Sequence, residues 1–188
     1  SSHTSGVIGF VDRKNDPHNQ DNNKRTIANA AAIVQNGDVR GIYHKSFLPN
    51  YSVFDEARYF SKGTEPNTLF WYDDIAIGIN ICEDIWIEDG PAEEQVKQGA
   101  SLIININASP YDIHKSKTRK DIVMKKALKL NVPIIYLNMV GGQDELVFDG
   151  GSFVVNDLGE IIYQASSFKE EVFHLDICLL YTSDAADE

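Results

Sequence analysis

Residues 75–86 read IAIGINICEDIW, and the interpretation of the whole chain turns on them. The stretch opens as a continuous apolar run with small residues at Ala76 and Gly78, the pattern of a strand buried on both faces. The run stops at Cys82, and Glu83 and Asp84 follow at once as the acidic start of a helical turn. A sulfur placed there stands at the edge of a sheet, where backbone N–H groups and a helix N-terminus can lower a thiol pKa and stabilise an oxyanion. That is a setting for a nucleophile. A lone cysteine in an apolar strand is more often a small core residue, so the neighbouring segments have to decide between the two roles.

Downstream, Gly90-Pro91 breaks the chain and 92–98 reads as a helix closed by Gly99. Residues 101–106 form a second buried strand that ends in Asn107-Ala108-Ser109-Pro110, so Ser109 takes the same kind of strand-end position as Cys82. Residues 115–130 have the periodicity of an amphipathic helix, with Ile122, Ala127 and Leu130 inward and a basic outer face. Residues 134–138 are a third buried strand. The segment 139–151, MVGGQDELVFDGG, is glycine-rich, but it lacks the helix and the Lys-Ser/Thr pair of a phosphate loop. Residues 152–156, 160–164 and 171–177 are expected as closing strands, with a turn at 157–160.

Upstream, 6–11 is a short strand and 12–24 a polar loop. Asn36-Gly37 is a hairpin signal that pairs 27–34 with 39–43, and Asp73-Asp74 joins 68–72 to the strand at 75–81. Leu48-Pro49-Asn50 forbids regular structure, so Lys45 stands at a strand end facing an irregular, aromatic-rich loop. Catalytic groups gather on such loops. Taken singly, Lys45 reads as a solvated lysine, Ser109 as a turn hydroxyl and Lys115 as a surface cation at a helix start. Buried strands alternating with helices, with hairpins at both ends, make an α/β protein with mixed sheets.

A chain of 188 residues with 43% apolar and 10% aromatic content can bury one substantial core. No apolar run is long enough to span a membrane, and the opening SSHTSG is not a signal peptide. The formal charge of −11 argues against nucleic acid and anionic membrane as partners. Cys82 and Cys178 form no disulfide framework, which points to a reducing, cytoplasmic location. The final residues 178–188, CLLYTSDAADE, follow the strand pattern EVFHLDI without turn logic and look like translated transposon adapter. We therefore expect a domain over 1–177 and a foreign tail over 178–188, with Cys82 the only native cysteine.

A cysteine at a buried strand end, a lysine at an earlier strand end and polar groups at the following ones resemble the nitrilase, or carbon-nitrogen hydrolase, superfamily. The stretches YHKSFLPNYSVFDEARYF, NICEDIW, NASPY and GGQDELVFDGGSF, in that order, are similar to the glutaminase domains of glutamine-dependent NAD synthetases over residues 6–177. The resemblance implies a four-layer α-β-β-α sandwich with two mixed sheets and a Glu-Lys-Cys catalytic set. It makes Cys82 the nucleophile that attacks the side-chain amide of L-glutamine, giving a γ-glutamyl thioester and ammonia before water releases glutamate. Lys45 would favour the thiolate and the tetrahedral oxyanion, with the backbone N–H of Glu83 as a second donor. Tyr51, Ser109 and Lys115 would hold the amino-acid head, and Glu83 and Trp86 would line the same pocket. No cofactor is implied for this domain. A covalently linked synthetase domain would use ATP and magnesium, receive the ammonia through an internal tunnel and amidate deamido-NAD, in a homo-oligomer.

The sequence departs from the family pattern in one respect. The family's general-base glutamate lies upstream of the segment matched by 6–11, and no Ser-Gly-Gly-x-Asp-Ser phosphate loop of a synthetase domain occurs. Glu56 and Glu65 sit inside other motifs and are not expected to serve as the base. The expectation is thus an internal fragment, incomplete at its N-terminus, with an exposed sheet edge and little glutaminase activity of its own. The competing readings are a stand-alone nitrilase-type amidase, which would not need LPNYSVFDEARYF or GGQDELVFDG, and a non-enzymatic scaffold of the same fold.

Overall fold

The computed structural model describes residues 4–13, 27–51, 54–66 and 68–179. Most of the loop expected at 12–24, and the tail from residue 180 on, lie outside them. The chain opens with β1 (Ser5–Arg13), β2 (Ile27–Gln35) and β3 (Asp38–His44), an antiparallel sheet in the order β1-β2-β3. Asn36 and Gly37 join β2 to β3 with φ of 54° and 86°, the left-handed pair that an Asn-Gly hairpin turn requires.

A single-turn helix α1 (Glu56–Tyr59) follows, inside the loop expected to be irregular. Next come β4 (Leu69–Tyr72), β5 (Ile75–Ile81), a 3₁₀ turn (Cys82–Trp86), α2 (Pro91–Lys97), β6 (Leu102–Asn107), α3 (Lys115–Leu130) and β7 (Ile134–Asn138). The chain continues as β8 (Val140–Gln143), β9 (Leu146–Asp149), β10 (Phe153–Val155) and β11 (Ile161–Gln164). β4, β5, β6, β7, β10 and β11 form a six-stranded sheet in the order β11-β10-β7-β6-β5-β4. β5 to β7 run parallel and the outer pairs antiparallel.

The six-stranded sheet is covered on both sides. One core, of Ala31, Ile33, Tyr43, Phe70, Ile79 and Ile81, fills the space between the two sheets. The other packs Ile103, Ile134, Tyr136, Phe153 and Val155 against Ile85, Ala92, Val123 and Ala127 of the helical layer. Helices, large sheet and small sheet are three layers of the expected sandwich; the outer face of the small sheet carries no helix among the described residues. Only the large sheet is mixed, since every pairing in the small one is antiparallel.

Two other expectations change, and one segment with no expected element gains one. The glycine-rich 139–151 contains the hairpin β8–β9. Residues 171–177 are not a strand: they find no ladder partner, and Val172 is 90% exposed. The outer face of α3 is not uniformly basic, because Arg119 and Lys126 point inward and are buried.

The fold brings the ends of the parallel strands to one edge. Ile81, Ile106 and Leu137 share a register row, and the next positions are Cys82, Asn107 and Asn138. In open parallel sheets this carboxyl edge is where ligand sites form.

Candidate active site

Cys82 leaves β5 with φ of 46°, a left-handed conformation that a non-glycine residue keeps only where its surroundings enforce it. Asp84 is one enforcing group. Its fully buried carboxylate accepts the N–H of Ile81 at 3.1 Å, next to the cysteine. It also accepts the N–H groups of Ser46 (3.2 Å) and Phe47 (2.8 Å) and the hydroxyl of Tyr43 (2.8 Å). One carboxylate therefore ties the turn that carries the sulfur to the strand end that carries Lys45. Burial pushes this carboxyl up to about 6, against the opposing pull of the Phe47 and Ile81 N–H groups.

Lys45 is 1% exposed, which overturns the solvated reading of this residue. A buried ammonium needs a counter-charge, and α1 supplies it: Lys45 Nζ donates to both oxygens of Glu56, at 2.7 and 2.8 Å. Burial raises the Cys82 thiol to about 11, outweighing the lowering by Lys45 and Lys115, while Glu56 and Glu83 push the same way as burial. The expectation that the turn itself would lower the thiol pKa is corrected on this point. A 3₁₀ turn of five residues has little dipole, and the cation beside the sulfur is neutralised by its own carboxylate.

Beside the sulfur is a cavity of about 280 Å³ lined by Tyr51, Phe54, Cys82, Glu83, Trp86, Ser109, Asp112, His114, Lys115 and Thr118. The three residues expected to hold substrate, Tyr51, Ser109 and Lys115, thus meet in one place with Glu83 and Trp86. The Tyr51 hydroxyl donates to the Glu83 carboxylate (2.9 Å), and the Lys115 ammonium stands 5.6 Å over the Phe54 ring. Lys45 lies outside this cavity. With Glu56 it lines a second hollow of about 600 Å³, which Cys82 also borders, so Cys82 is common to the two. Glu65 lies elsewhere, in a surface hollow with Asp12 and His44.

Asp84 and Phe54 escaped the reading of the sequence, and Glu56 was named there only to be set aside. The sole signal for Asp84 was its place two residues after the cysteine. Among the described residues no group of three or more His, Cys, Asp or Glu side chains is placed to hold a metal ion, and no helix is long and apolar enough to cross a membrane.

The comparisons with known proteins agree with this geometry. The chain is 44% identical over 174 residues to the glutamine-dependent NAD(+) synthetase of Thermotoga maritima, a match covering 92% of this chain and 28% of that protein. It is 42% identical over 168 residues to the enzyme of the same name from Acinetobacter baylyi, covering 89% of this chain and 29% of the other. It therefore spans less than a third of the length of these relatives. Among solved structures it superposes on the glutamine-dependent NAD+ synthetase of Acinetobacter baumannii with a TM-score of 0.79 at 41% identity, over 88% of this chain and 30% of that one. On a carbon-nitrogen hydrolase from Helicobacter pylori G27 the TM-score is 0.70 at 27% identity, over 77% and 55% of the two chains. The nitrilase-type sandwich is thus the fold of this chain, and the family model for carbon-nitrogen hydrolases matches residues 3–186. A cysteine in a strained turn at the carboxyl edge of a parallel sheet, a buried lysine and nearly the full sequence within that model leave one assignment: the chain belongs to the carbon-nitrogen hydrolase family.

Proposed function

We propose that this chain carries a glutaminase site in which Cys82 takes the side-chain carbonyl carbon of L-glutamine. The observation that carries the reading is the 280 Å³ cavity, which sets one sulfur against both an ammonium (Lys115) and a tyrosine-bonded carboxylate (Glu83). An amide substrate whose far end bears both a carboxylate and an ammonium matches that pairing of charges; a simple aliphatic amide leaves both unanswered.

In the proposed chemistry the sulfur attacks the amide carbon, and Lys45 with the backbone N–H of Glu83 stabilises the oxyanion. The C–N bond breaks as the nitrogen takes the proton that the thiol gives up and leaves as ammonia. Water then cleaves the γ-glutamyl thioester to glutamate and the free thiol. Glu56 and Glu83, the two carboxylates whose charges act on the Cys82 thiol, already accept from Lys45 and Tyr51. The names of the relatives extend the proposal to the longer protein. There the ammonia would amidate deamido-NAD in a covalently linked synthetase domain, in a cytoplasmic homo-oligomer. ATP and magnesium would activate the acceptor in that domain. Within this sequence the domain would be residues 1–177, with 178–188 foreign; sequencing the genomic locus through that junction tests the boundary.

Diazo-oxonorleucine, a glutamine-shaped electrophile, tests the site. It should label Cys82 saturably, with labelling suppressed by L-glutamine and not by propionamide. Equal suppression by the two amides would favour a simple amidase, and no labelling with an intact fold would sink the glutaminase reading.

A further inference from the structure

Arg119 and Asp149 form a charge pair behind the cavity that no step above uses. Arg119 on α3 and Asp149 at the end of β9 are each 3% exposed. Arg119 Nη1 donates to both Asp149 oxygens, at 2.8 and 3.0 Å. Its Nη2 donates to the carbonyls of Ser109 (2.8 Å) and Pro110 (2.9 Å), and its Nε to the Ser109 hydroxyl oxygen at 3.3 Å. From the other side Asn138 Oδ1 accepts the Ser109 N–H at 2.9 Å. Buried ion pairs are weak contributors to stability, and apolar replacements of similar volume often do as well. The arrangement calls for a role other than holding the fold together.

The guanidinium supplies one. It carries donors only and is always charged. The Ser109 oxygen is therefore committed as an acceptor toward Arg119, and its own hydrogen remains to be donated. Charge on the partner strengthens that donation. The Tyr136 hydroxyl, buried beside Ser109 and with no other hydrogen-bond partner, can take this hydrogen until a better acceptor arrives.

We infer that Arg119 and Asp149 are a positioning pair that fixes Ser109 as a hydrogen-bond donor into the cavity, so that the Ser109–Lys115 side selects the carboxylate of the amino-acid substrate. Asp149 keeps the guanidinium in place and offsets its charge, leaving Lys115 as the cation that the ligand meets. The inference rests on the glutaminase reading, and its test separates the two.

The measurement is protection of Cys82 from iodoacetamide in the chain as it stands, followed on the Cys82 peptide by mass spectrometry. Three ligands are compared: L-glutamine, glutaramate (which lacks the α-amine) and γ-aminobutyramide (which lacks the α-carboxylate). Two variants are used, Arg119→Lys and the double variant Arg119→Met/Asp149→Leu, which leaves no unpaired buried charge. The half-protecting concentrations of glutamine and glutaramate should rise about tenfold or more in the double variant and by less in Arg119→Lys. That of γ-aminobutyramide, and the rate without ligand, should stay as in the parent. Equal loss for all three ligands, or a changed rate without ligand, would reduce the pair to a structural role and overturn the inference. Unchanged protection by every ligand would also overturn it, with the glutaminase reading intact. If glutamine fails to protect the parent chain, that reading falls and takes the inference with it.

Discussion

At the scale of single residues, the chemistry of the site is governed by how Glu56 answers Lys45. The ammonium is nearly inaccessible to water, and both oxygens of Glu56 lie within 2.8 Å of it. The lysine's field at the sulfur is correspondingly reduced, and burial keeps the thiol near 11. Glu56→Gln should remove the opposing charge and lower the Cys82 pKa. Alkylation by iodoacetamide at pH 8 should then be several-fold faster, because the thiolate fraction grows about tenfold for each unit the pKa falls. Lys45→Met should slow it. A pH–rate profile of alkylation for the two variants checks both signs, and a slower Glu56→Gln would show that the glutamate positions the lysine more than it neutralises it. The places of Cys82, Lys45 and Ser109 just past strand ends and of Lys115 at a helix start were legible in the sequence, because each borders a short segment with a recognisable pattern. Asp84 was not, since its partners lie as far off as Tyr43, Ser46 and Phe47 and sequence spacing does not record that contact.

At the scale of elements, the six-stranded sheet admits α2 only because β5 is thin on that face. A Cβ on Gly78 would stand 2.5 Å from Gln95 Oε1 and 2.6 Å from the Ile103 Cδ1 methyl. Gln95 uses this room to bond backbone and side chain of the strand beneath it: its Nε2 donates to the Ile79 carbonyl at 2.9 Å and its Oε1 accepts from Asn80 at 2.6 Å. Gly78→Ala should therefore cost about 1–3 kcal/mol through displacement of Gln95 and Ile103. Urea unfolding measures this, and a neutral outcome would mean that α2 shifts freely on the sheet. The buried lysine of α3 plays a related part, since Lys126 Nζ reaches both Glu93 of α2 (2.5 Å) and the Ile87 carbonyl (2.7 Å), just past the turn that carries Cys82. Helix α3 itself was plain from its periodicity; the inward turn of Arg119 and Lys126 was not, because their partners come from other elements.

At the scale of the whole molecule, Asp84 joins the two sheets, and its ionisation belongs to the stability of the fold. Its folded pKa of about 6 lies above the ordinary 3.8, so the folded state binds this proton more tightly than the unfolded chain does. The contribution is fully present below about 3.8 and is lost as pH rises through about 6, with a full span on the order of 3 kcal/mol. Asp84→Asn lacks the titration. The variant gives up acceptors for the Ile81 N–H and the Tyr43 hydroxyl, but it should gain on the parent chain as pH rises from about 4 to 7. Urea unfolding at several pH values checks this, and a stability gap that stays constant across the window would mean that Asp84 titrates normally.

From the sequence by itself came most of the strands, the two main helices and the places of Cys82 and Ser109 just past strand ends. Those features are set by local alternation, apolar runs and turn residues such as Asn36-Gly37, which act over a few neighbours. The tertiary structure alone decided which of the patterned segments became strands. Residues 171–177 alternate correctly but have no neighbour to complete a ladder among the described residues, whereas β8 and β9 pair across Asp144 at a φ of 50° in a glycine-rich segment to which the sequence assigned no strand. It alone also decided which charges are buried, placing Lys45 on Glu56 and Arg119 on Asp149. Burying a charge is tolerable only where an opposite one meets it, and that meeting is a property of the packed molecule.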